Sequence, residues 1–285
     1  MIHRLDELDP AGIEARLAAW PGLILPLGTV EWHSHHLPLG LDTLKAAAIA
    51  ERVAARTGAV LAPPAWWAAG GVPFPYTLRL PGSLVEPVLR EVLAQLAGMG
   101  FRGVLVLNGH YGLENTLAVR RAALAVTEEA DATIIALADY ELLTDLGNRG
   151  DHAGIWETSL LWAARPELVR LDVGGDLPGV IGDDPRGAAS VELGRGGLAV
   201  AAERAGHALG AVLAHSAADR VAYTAALRAS VSALERLWQL RQQVPRERVP
   251  PVQTAAWLAH VEALREGDYD RARAAAEEKL ADLAR

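Results

Sequence analysis

The chain has 285 residues, 51% of them hydrophobic, with a formal net charge of -8 at pH 7 and no cysteine. Such a chain can bury a large core, as one α/β domain or two smaller ones, which excludes general disorder. The acidic balance argues against nucleic acid as the main partner, and the lack of cysteine excludes disulfides, thiolate metal ligands and cysteine nucleophiles.

The N-terminal sequence has no apolar signal core, and no apolar run approaches the ~20 residues that a membrane-spanning helix needs. These two absences predict a cytoplasmic protein without a membrane partner. The expected partner is therefore a small-molecule substrate.

The first half of the chain alternates short apolar runs with longer helical patterns. Helices are predicted over 10–19, 43–56, 83–99 and 113–129, with Ser83 and Glu86 forming a capping-box pattern, and strands over 23–27, 60–64, 101–107 and 133–138. Residues 65–82 are rich in Trp, Gly and Pro and predict an irregular segment. The alternation implies right-handed βαβ crossovers and one parallel sheet that helices cover on both faces.

The second half is predicted to be helical at its start and end. A polar loop, 148–154, opens a helix, and residues 172–198 are interpreted as a long excursion over the active site or in an assembly contact. A long amphipathic helix over 217–243 ends before prolines at 245, 250 and 251. We therefore expect a main domain, 1–245, and a C-terminal helical extension, 246–285, with little core of its own.

A dense cluster of potential metal ligands follows the first long predicted strand. Glu31, His33, His35, His36 and Asp42 lie within twelve residues. In an open α/β sheet, ligands collect outside the carboxyl ends of the strands, and carboxylates with imidazoles suit Zn²⁺, Mn²⁺ or Fe²⁺. Asp42 is expected to return towards this set from a loop. The alternative interpretation is a polar surface loop with ordinary histidines.

Two further polar clusters occupy the same kind of position. His110 comes directly after the strand predicted over 101–107, and the third cluster spans 148–157. Because one sheet brings its strand ends together, we expect these clusters to converge and His110 to be a further metal ligand. Alternatively, His110 caps the next helix.

These blocks resemble the creatininase (creatinine amidohydrolase) family. The resemblance rests on Pro26-Leu-Gly-Thr-Val-Glu-Trp-His33, His36-Leu-Pro-Leu-Gly-Leu-Asp42, Asn108-Gly-His110 and His152-Ala-Gly-Ile-Trp-Glu-Thr-Ser159, with support from Pro166-Glu-Leu-Val169 and Gly179-Val-Ile-Gly-Asp183. The blocks keep the family's order over roughly 20–240. The resemblance implies a three-layer α/β/α fold around a mostly parallel sheet, a two-metal centre with Zn, Mn or Fe, and a homohexamer.

The resemblance also implies roles for individual residues. Asp42 would bridge the two ions, with Glu31 and His110 on one ion and His33 on the other. His152 would be the general acid/base.

The chain departs from the family pattern at two places. Ser34-His35 stands where the family often has Gly-Pro, and Gly112 stands where creatininase itself has a glutamate that completes the second metal site. The replacement ligand is expected to be Glu157, with Glu114 as the alternative.

The expected activity is that of a metal-dependent amidohydrolase. It would cleave a non-peptide C–N bond of a small cyclic amide or formamide with a metal-activated water. Expected substrate contacts are Trp32, His36, Tyr111 and Trp156, with Trp66, Trp67 and Tyr76 as further pocket-wall candidates, although a Trp-rich core would look the same. The alternative function is a non-catalytic metal-binding or assembly protein on this scaffold. A Rossmann-type nucleotide binder is disfavoured, because no G-x-G-x-x-G follows the first strand.

Overall fold

The computed structural model describes residues 1–245 and 248–284. Over these ranges the chain forms a five-stranded sheet in the order β1-β3-β2-β4-β5, with every pair parallel. The strands are β1 (His3–Arg4), β2 (Gly22–Leu27), β3 (Val60–Leu61), β4 (Gly103–Asn108) and β5 (Thr133–Ala138).

Helices connect the strands and continue after the last one. They are α1 (Pro10–Ala19), α2 (Leu41–Thr57), α3 (Gly82–Met99), α4 (Leu113–Glu129), α5 (Ile155–Ala164), α6 (Val191–Leu213), α7 (Ala217–Gln243), α8 (Ala255–Glu266) and α9 (Tyr269–Asp282). A short 3-10 turn, Asp139–Leu142, follows β5. None of the helices in the described ranges combines the length and the apolar character needed to cross a membrane.

Both faces of the sheet are covered by helices. Successive side chains of a strand point to opposite faces, so Val104 and Val106 of β4 pack against α3, α4 and α7, while Leu105 and Leu107 pack against α2 and α6. The strand residues between these layers are fully or almost fully buried. The three-layer α/β/α fold around a parallel sheet is therefore confirmed.

One long helix was not expected. Helix α6 begins at Val191, so the interpretation of residues 172–198 as one excursion is wrong for its last eight residues. Glycines at positions 194, 196 and 197 make this stretch look like a loop. A Cβ on Gly194 would overlap the backbone carbonyl of Ser159, so this glycine lets α6 pack directly on α5.

Helix α3 also begins differently from the sequence prediction. Its first residue is Gly82, and no side chain of its N-cap residue, Pro81, bonds to the helix. The amide of Gly82 instead donates to Glu114 Oε1 at 2.6 Å. The capping role expected of Ser83 is thus wrong, because a carboxylate from α4 satisfies this helix end.

Helices α8 and α9 pack on the main body. Trp257 is fully buried in a cluster with Leu113, Leu117 and Leu237, which belong to α4 and α7. The extension therefore shares its core with the rest of the molecule. The domain boundary is expected between residues 245 and 246. Residues 246–247 lie outside the described residues, so this boundary stays a prediction.

Candidate metal centre

Polar residues from four elements of the chain meet at the carboxyl edge of the sheet. The loop after β2 carries Glu31 and His33, the end of β4 leads into His110, and α5 carries Glu157. Asp42 lies in the first turn of α2 and does not return from a loop as expected. A Cβ on Gly109 would overlap the Asp42 carbonyl, so this glycine permits the close approach of α2 to the end of β4.

Two triads of possible metal ligands share Asp42, and the ligand atoms of each triad lie within 4.8 Å of one another. In the first triad, His110 Nδ1 lies 2.9 Å from Glu31 Oε1 and 3.0 Å from Asp42 Oδ2. In the second, His33 Nε2 lies 3.1 Å from Asp42 Oδ1 and 3.7 Å from Glu157 Oε2. The two Asp42 oxygens therefore face different triads, as a bridging carboxylate requires.

The donor set fits divalent cations. All five residues of the triads are buried, and His33 Nδ1 donates to the Glu31 backbone carbonyl, which leaves Nε2 to face Asp42 and Glu157. Although His33 Nε2 lies 3.1 Å from Asp42 Oδ1, the two atoms are not oriented for a hydrogen bond, and Nε2 has no other such partner among the described residues. Imidazole nitrogen with carboxylate oxygen is a ligand set that suits Zn²⁺, Mn²⁺ and Fe²⁺.

The pKa values show how strongly this pocket favours positive charge. Burial opposes protonation of the His33 ring, but the carboxylates of Asp42, Glu157 and Glu31 outweigh burial and raise its pKa to about 9. At His110, burial also opposes protonation, but the carboxylates of Glu31 and Asp42 outweigh it and raise the pKa to about 10. The carboxylates thus favour positive charge on the groups between them, a demand that divalent ions also meet.

His152 lies at the open side of the centre. Its Nε2 donates to the Trp32 backbone carbonyl at 2.9 Å, and its Nδ1 lies 3.7 Å from Glu31 Oε1. A carbonyl oxygen only accepts hydrogen bonds, so Nε2 carries the hydrogen and Nδ1 offers the lone pair of the neutral ring. The side chain is 13% exposed, which leaves it in reach of a bound molecule.

The two candidates for the replacement ligand have different surroundings. Glu157 lies in the second triad, while Glu114 caps α3 and belongs to neither triad. A Cβ on Gly112 would lie 2.9 Å from His110 Nε2, so the His110 ring occupies the space beside this position. The geometry therefore favours Glu157 over Glu114.

The unusual histidine points away from the centre. His35 is exposed and packs edge-on against the Trp32 ring, with 4.9 Å between ring centroids. The preceding Ser34 has φ of 61°, a left-handed conformation that favours glycine. Ser34 thus adopts a conformation that glycine enters more readily, and the imidazole of His35 does not join the ligand triads.

A cleft of about 400 Å³ opens above the triads. The residues that line it include Glu31, Asp42, Gly71, Val72, Pro73, His110, Tyr111, Gly150, Asp151, His152, Glu157, Ile181, Arg241, Val252 and Gln253. Of the expected substrate contacts, Tyr111 lines this cleft. Asp151 accepts from the Trp156 amide at 2.7 Å and so caps α5.

The other expected substrate contacts lie behind the cleft lining. The Trp32 ring stacks on Phe74 at 5.8 Å, His36 Nε2 lies 3.1 Å from Thr158 Oγ1, and Trp156 packs against the core. Trp66 and Trp67 likewise do not line the cleft, and Tyr76 is 74% exposed. A substrate contact by Trp32, His36 or Trp156 stays a prediction.

Sequence reasoning missed Lys45, which lies one turn after Asp42 on α2. Its ammonium is fully buried and donates to Glu157 Oε1 at 2.7 Å, to the Gly109 carbonyl at 3.0 Å and to the Tyr111 hydroxyl. Asp139 Oδ2 lies 3.3 Å from the same nitrogen. One sequence feature could have pointed to Lys45: it is a single lysine in an alanine-rich turn of a predicted helix, close to the candidate metal ligand Asp42.

Comparison with known proteins identifies a family and several relatives of this chain. The family described as creatininase, creatinine amidohydrolase, matches residues 6–224. Creatinine amidohydrolase of Pseudomonas putida is 33% identical over 200 residues, which are 60% of this chain and 75% of that protein. Mycofactocin precursor peptide peptidase of Mycobacterium ulcerans is 33% identical over 189 residues, 61% of this chain and 72% of that protein.

Solved structures show the same relationship. A crystal structure of creatininase superposes with a TM-score of 0.67 at 26% identity and covers 75% of this chain and 98% of that chain. A creatininase with Mn superposes with a TM-score of 0.64 at 28% identity, over 73% of this chain and 97% of that one. A mutant creatininase of Zn-Zn type superposes with a TM-score of 0.61 at 26% identity, over 73% of this chain and 97% of that one. These matches show that the chain belongs to the creatininase family of hydrolases.

Proposed function

We propose that this protein is a metal-dependent amidohydrolase that cleaves a non-peptide C–N bond of a small cyclic amide or formamide. The observation that carries the proposal is the shared position of Asp42, whose two oxygens face two separate ligand triads. Each chain would hold two divalent ions, one between Glu31, Asp42 and His110 and one between His33, Asp42 and Glu157. Zn, Mn and Fe all suit these ligands.

The bound ions would supply Lewis-acid polarisation of the amide carbonyl and would lower the pKa of a water to about 7. His152 provides the proton transfer. Its Nδ1, which faces Glu31, takes a proton as water attacks the carbonyl carbon, and the same atom returns a proton to the nitrogen as the C–N bond breaks. Hydrogen bonding of Nε2 to the Trp32 carbonyl fixes the ring in the tautomer that this exchange needs.

A second candidate substrate is the end of a peptide. One relative of similar identity is named a precursor peptide peptidase. The cleft has about 400 Å³ and is open to solvent, which is enough for a drug-sized molecule or a short peptide end. The non-catalytic alternative is disfavoured, because a purely structural metal site has no need of a partly exposed imidazole beside it.

The test is an activity screen of the Zn²⁺- and Mn²⁺-loaded protein against lactams, cyclic ureas, formamides and short peptides. We expect turnover of a cyclic amide or formamide, and a loss of at least about 100-fold in kcat for His152→Ala with the metal content unchanged. Glu114→Gln is the matched control, because Glu114 belongs to neither triad. Unchanged kcat in His152→Ala would refute the proposed role of His152, and turnover of peptides alone would support the second candidate.

We also propose that copies of the chain assemble into a homohexamer. Support comes from exposed apolar side chains on α3 and the loop before it: Leu78, Leu84 and Val88 are 51%, 51% and 43% exposed. Light scattering coupled to size-exclusion chromatography measures the assembly mass directly. The cytoplasmic location stays a prediction.

A further inference from the structure

We propose that the C-terminal part of the chain forms a substrate-recognising wall of the cleft, and that Arg241 in this wall selects amides that carry a carboxylate. The inference rests on the proposed hydrolase function and adds a substrate class to it. Arg241, Val252 and Gln253 line the cleft together with the triads and His152. All three lie beyond residue 224, where the match to the family ends.

The charge of this wall differs from that of the centre. Glu31, Asp42 and Glu157 line the same cleft and are the groups that divalent ions would neutralise. Among the described residues that line the cleft, Arg241 is the one lysine or arginine. A substrate held with its amide at the centre therefore meets a positive charge on the C-terminal wall.

The wall is anchored to the body of the protein. The side-chain nitrogen of Gln253 and the ring of Tyr140, which follows β5, both lie against Gly150. Lys279 of α9 is almost fully buried and donates to the Pro251 carbonyl at 2.7 Å. Residues 251–253 are thus held on two sides, so their position in the cleft is defined by packing.

Buried Trp257 continues this anchoring into α8. The guanidinium of Arg120 lies 4.7 Å from the centre of the Trp257 ring and is paired with Glu141 at 2.7 Å. Glu141 Oε2 accepts from the Ala138 amide at the end of β5. The C-terminal helices are therefore fixed to the sheet edge that carries the centre.

Guanidinium chemistry explains the choice of a carboxylate. An arginine has five N–H donors in a planar fork, so it can bind a substrate carboxylate while it keeps contacts within the protein. Lys279 lies nearby: burial lowers its pKa, the Asp282 carboxylate raises it and the Arg241 charge lowers it, with a net fall to about 8. Val252 offers an apolar surface beside Arg241 for the carbon skeleton.

The test compares two substrates that differ in one group, 2-pyrrolidinone and its carboxylated counterpart 5-oxoproline. With metal-loaded protein we expect kcat/KM to favour 5-oxoproline at least about 10-fold. Arg241→Gln should lower kcat/KM for 5-oxoproline about 10- to 100-fold through KM, change the value for 2-pyrrolidinone less than about 2-fold, and leave the metal content intact. Arg241→Lys should recover part of the loss.

The control variant is Arg228→Gln, which removes an arginine of the same helix that pairs with Glu128 at the surface. This variant should leave kcat/KM unchanged for both substrates. Equal kcat/KM for the two substrates in the unaltered protein, or an equal effect of Arg241→Gln on both, overturns the proposal.

A binding measurement separates this inference from the proposed hydrolysis. Calorimetry with 5-oxoproline on metal-loaded His152→Ala should show binding that Arg241→Gln weakens at least about 10-fold. If such binding is found and no amide is turned over, the proposed hydrolysis fails while the recognition wall stands. Undetectable binding of 5-oxoproline overturns the recognition wall whatever the turnover.

Discussion

Lys45 Nζ lies 2.7 Å from Glu157 Oε1, and both side chains are buried beneath the cleft. Asp139 Oδ2 lies 3.3 Å from the same ammonium on another side. Burial lowers the pKa of Lys45, but Asp139 and Glu157 outweigh burial and raise it, so the lysine stays charged. With Oε1 held by Lys45, Glu157 turns Oε2 towards His33 and accepts there from the Ala153 amide at 2.7 Å.

Removal of this cation should be costly. In Lys45→Met, Glu157 and Asp139 lose the buried charge that pairs them, so we expect the free energy of unfolding to fall by about 3–5 kcal/mol. Urea unfolding at a fixed metal concentration measures the loss. Lys45→Met combined with Asp139→Asn should recover about 1–3 kcal/mol, because one of the two unpaired carboxylates is then neutral.

Lys279→Met is the matched control for that variant. Lys279 is equally buried, but its ammonium donates to a backbone carbonyl, so its removal should cost only about 1–2 kcal/mol. If both lysine variants lose the same free energy, Lys45 is a packing residue and its ion pairs contribute nothing specific.

The number of bound metal ions should depend on Asp42, because this residue belongs to both ligand triads. We expect about two divalent ions per chain by elemental analysis. His33→Ala should lose the ion of the second triad and keep one, whereas Asp42→Asn should lose both, because its two oxygens serve both triads.

The control for these variants is Glu114→Gln, which should keep both ions. A protein that is folded and binds no metal at all would contradict the two-ion centre. Retention of two ions by Asp42→Asn would show that Asp42 is not the bridge.

Much of the fold was predictable because its signals are local. The apolar run at 133–138 and the helical patterns at 113–129 and 217–243 match β5, α4 and α7 in both bounds. A fully apolar strand or a long amphipathic period is decided by neighbouring residues. The start of helix α6 was missed because its three glycines are typical of a loop. The reason for Gly194 is its contact with Ser159 of α5, which no local pattern reveals.

The candidate site also has residues that local sequence signals predict and residues that they do not. Glu31, His33 and Asp42 were recognisable because they lie close together after one strand, and the position of His110 followed from the parallel sheet. Lys45 escaped prediction, because a lysine on a helix normally faces solvent, and its burial depends on Glu157 and Asp139 from distant elements. The C-terminal wall depends on tertiary packing that no local pattern reports.

Two glycines of α6 should respond oppositely to alanine. A Cβ on Gly194 would overlap the Ser159 carbonyl and lie 2.8 Å from Ala163 Cβ, so Gly194→Ala should destabilise the protein by about 3 kcal/mol or more. Gly196 has nothing within 4 Å of the added carbon, so Gly196→Ala should stabilise it by about 0.5–1 kcal/mol through helix propensity. Thermal unfolding of both variants tests the pair, and a change of the same sign in both would contradict the close packing of α5 on α6.

Acid sensitivity should depend on His260, which is fully buried between Arg120 and α9. Its Nδ1 donates to the Ala272 carbonyl at 2.7 Å, so the neutral ring presents the Nε2 lone pair to Arg120. Burial, and then the charge of Arg120, lower the pKa of His260 to about 3. The folded state therefore keeps the ring neutral at a pH where the unfolded chain protonates it.

Between about pH 6.5 and pH 3 the unfolded state binds the extra proton, so this histidine removes stability as the pH falls. The slope approaches about 1.4 kcal/mol per pH unit once the pH is well below 6.5. In His260→Gln this contribution disappears: the variant should lose free energy of unfolding less steeply than the unaltered protein between pH 6 and pH 4.5, and the two curves should run parallel between pH 7 and pH 8. Urea unfolding across this range, with the difference between the two proteins taken at each pH, cancels the other titrating groups. Parallel curves through the acid range would mean that the ring is protonated in the folded state and that Arg120 does not face its lone pair.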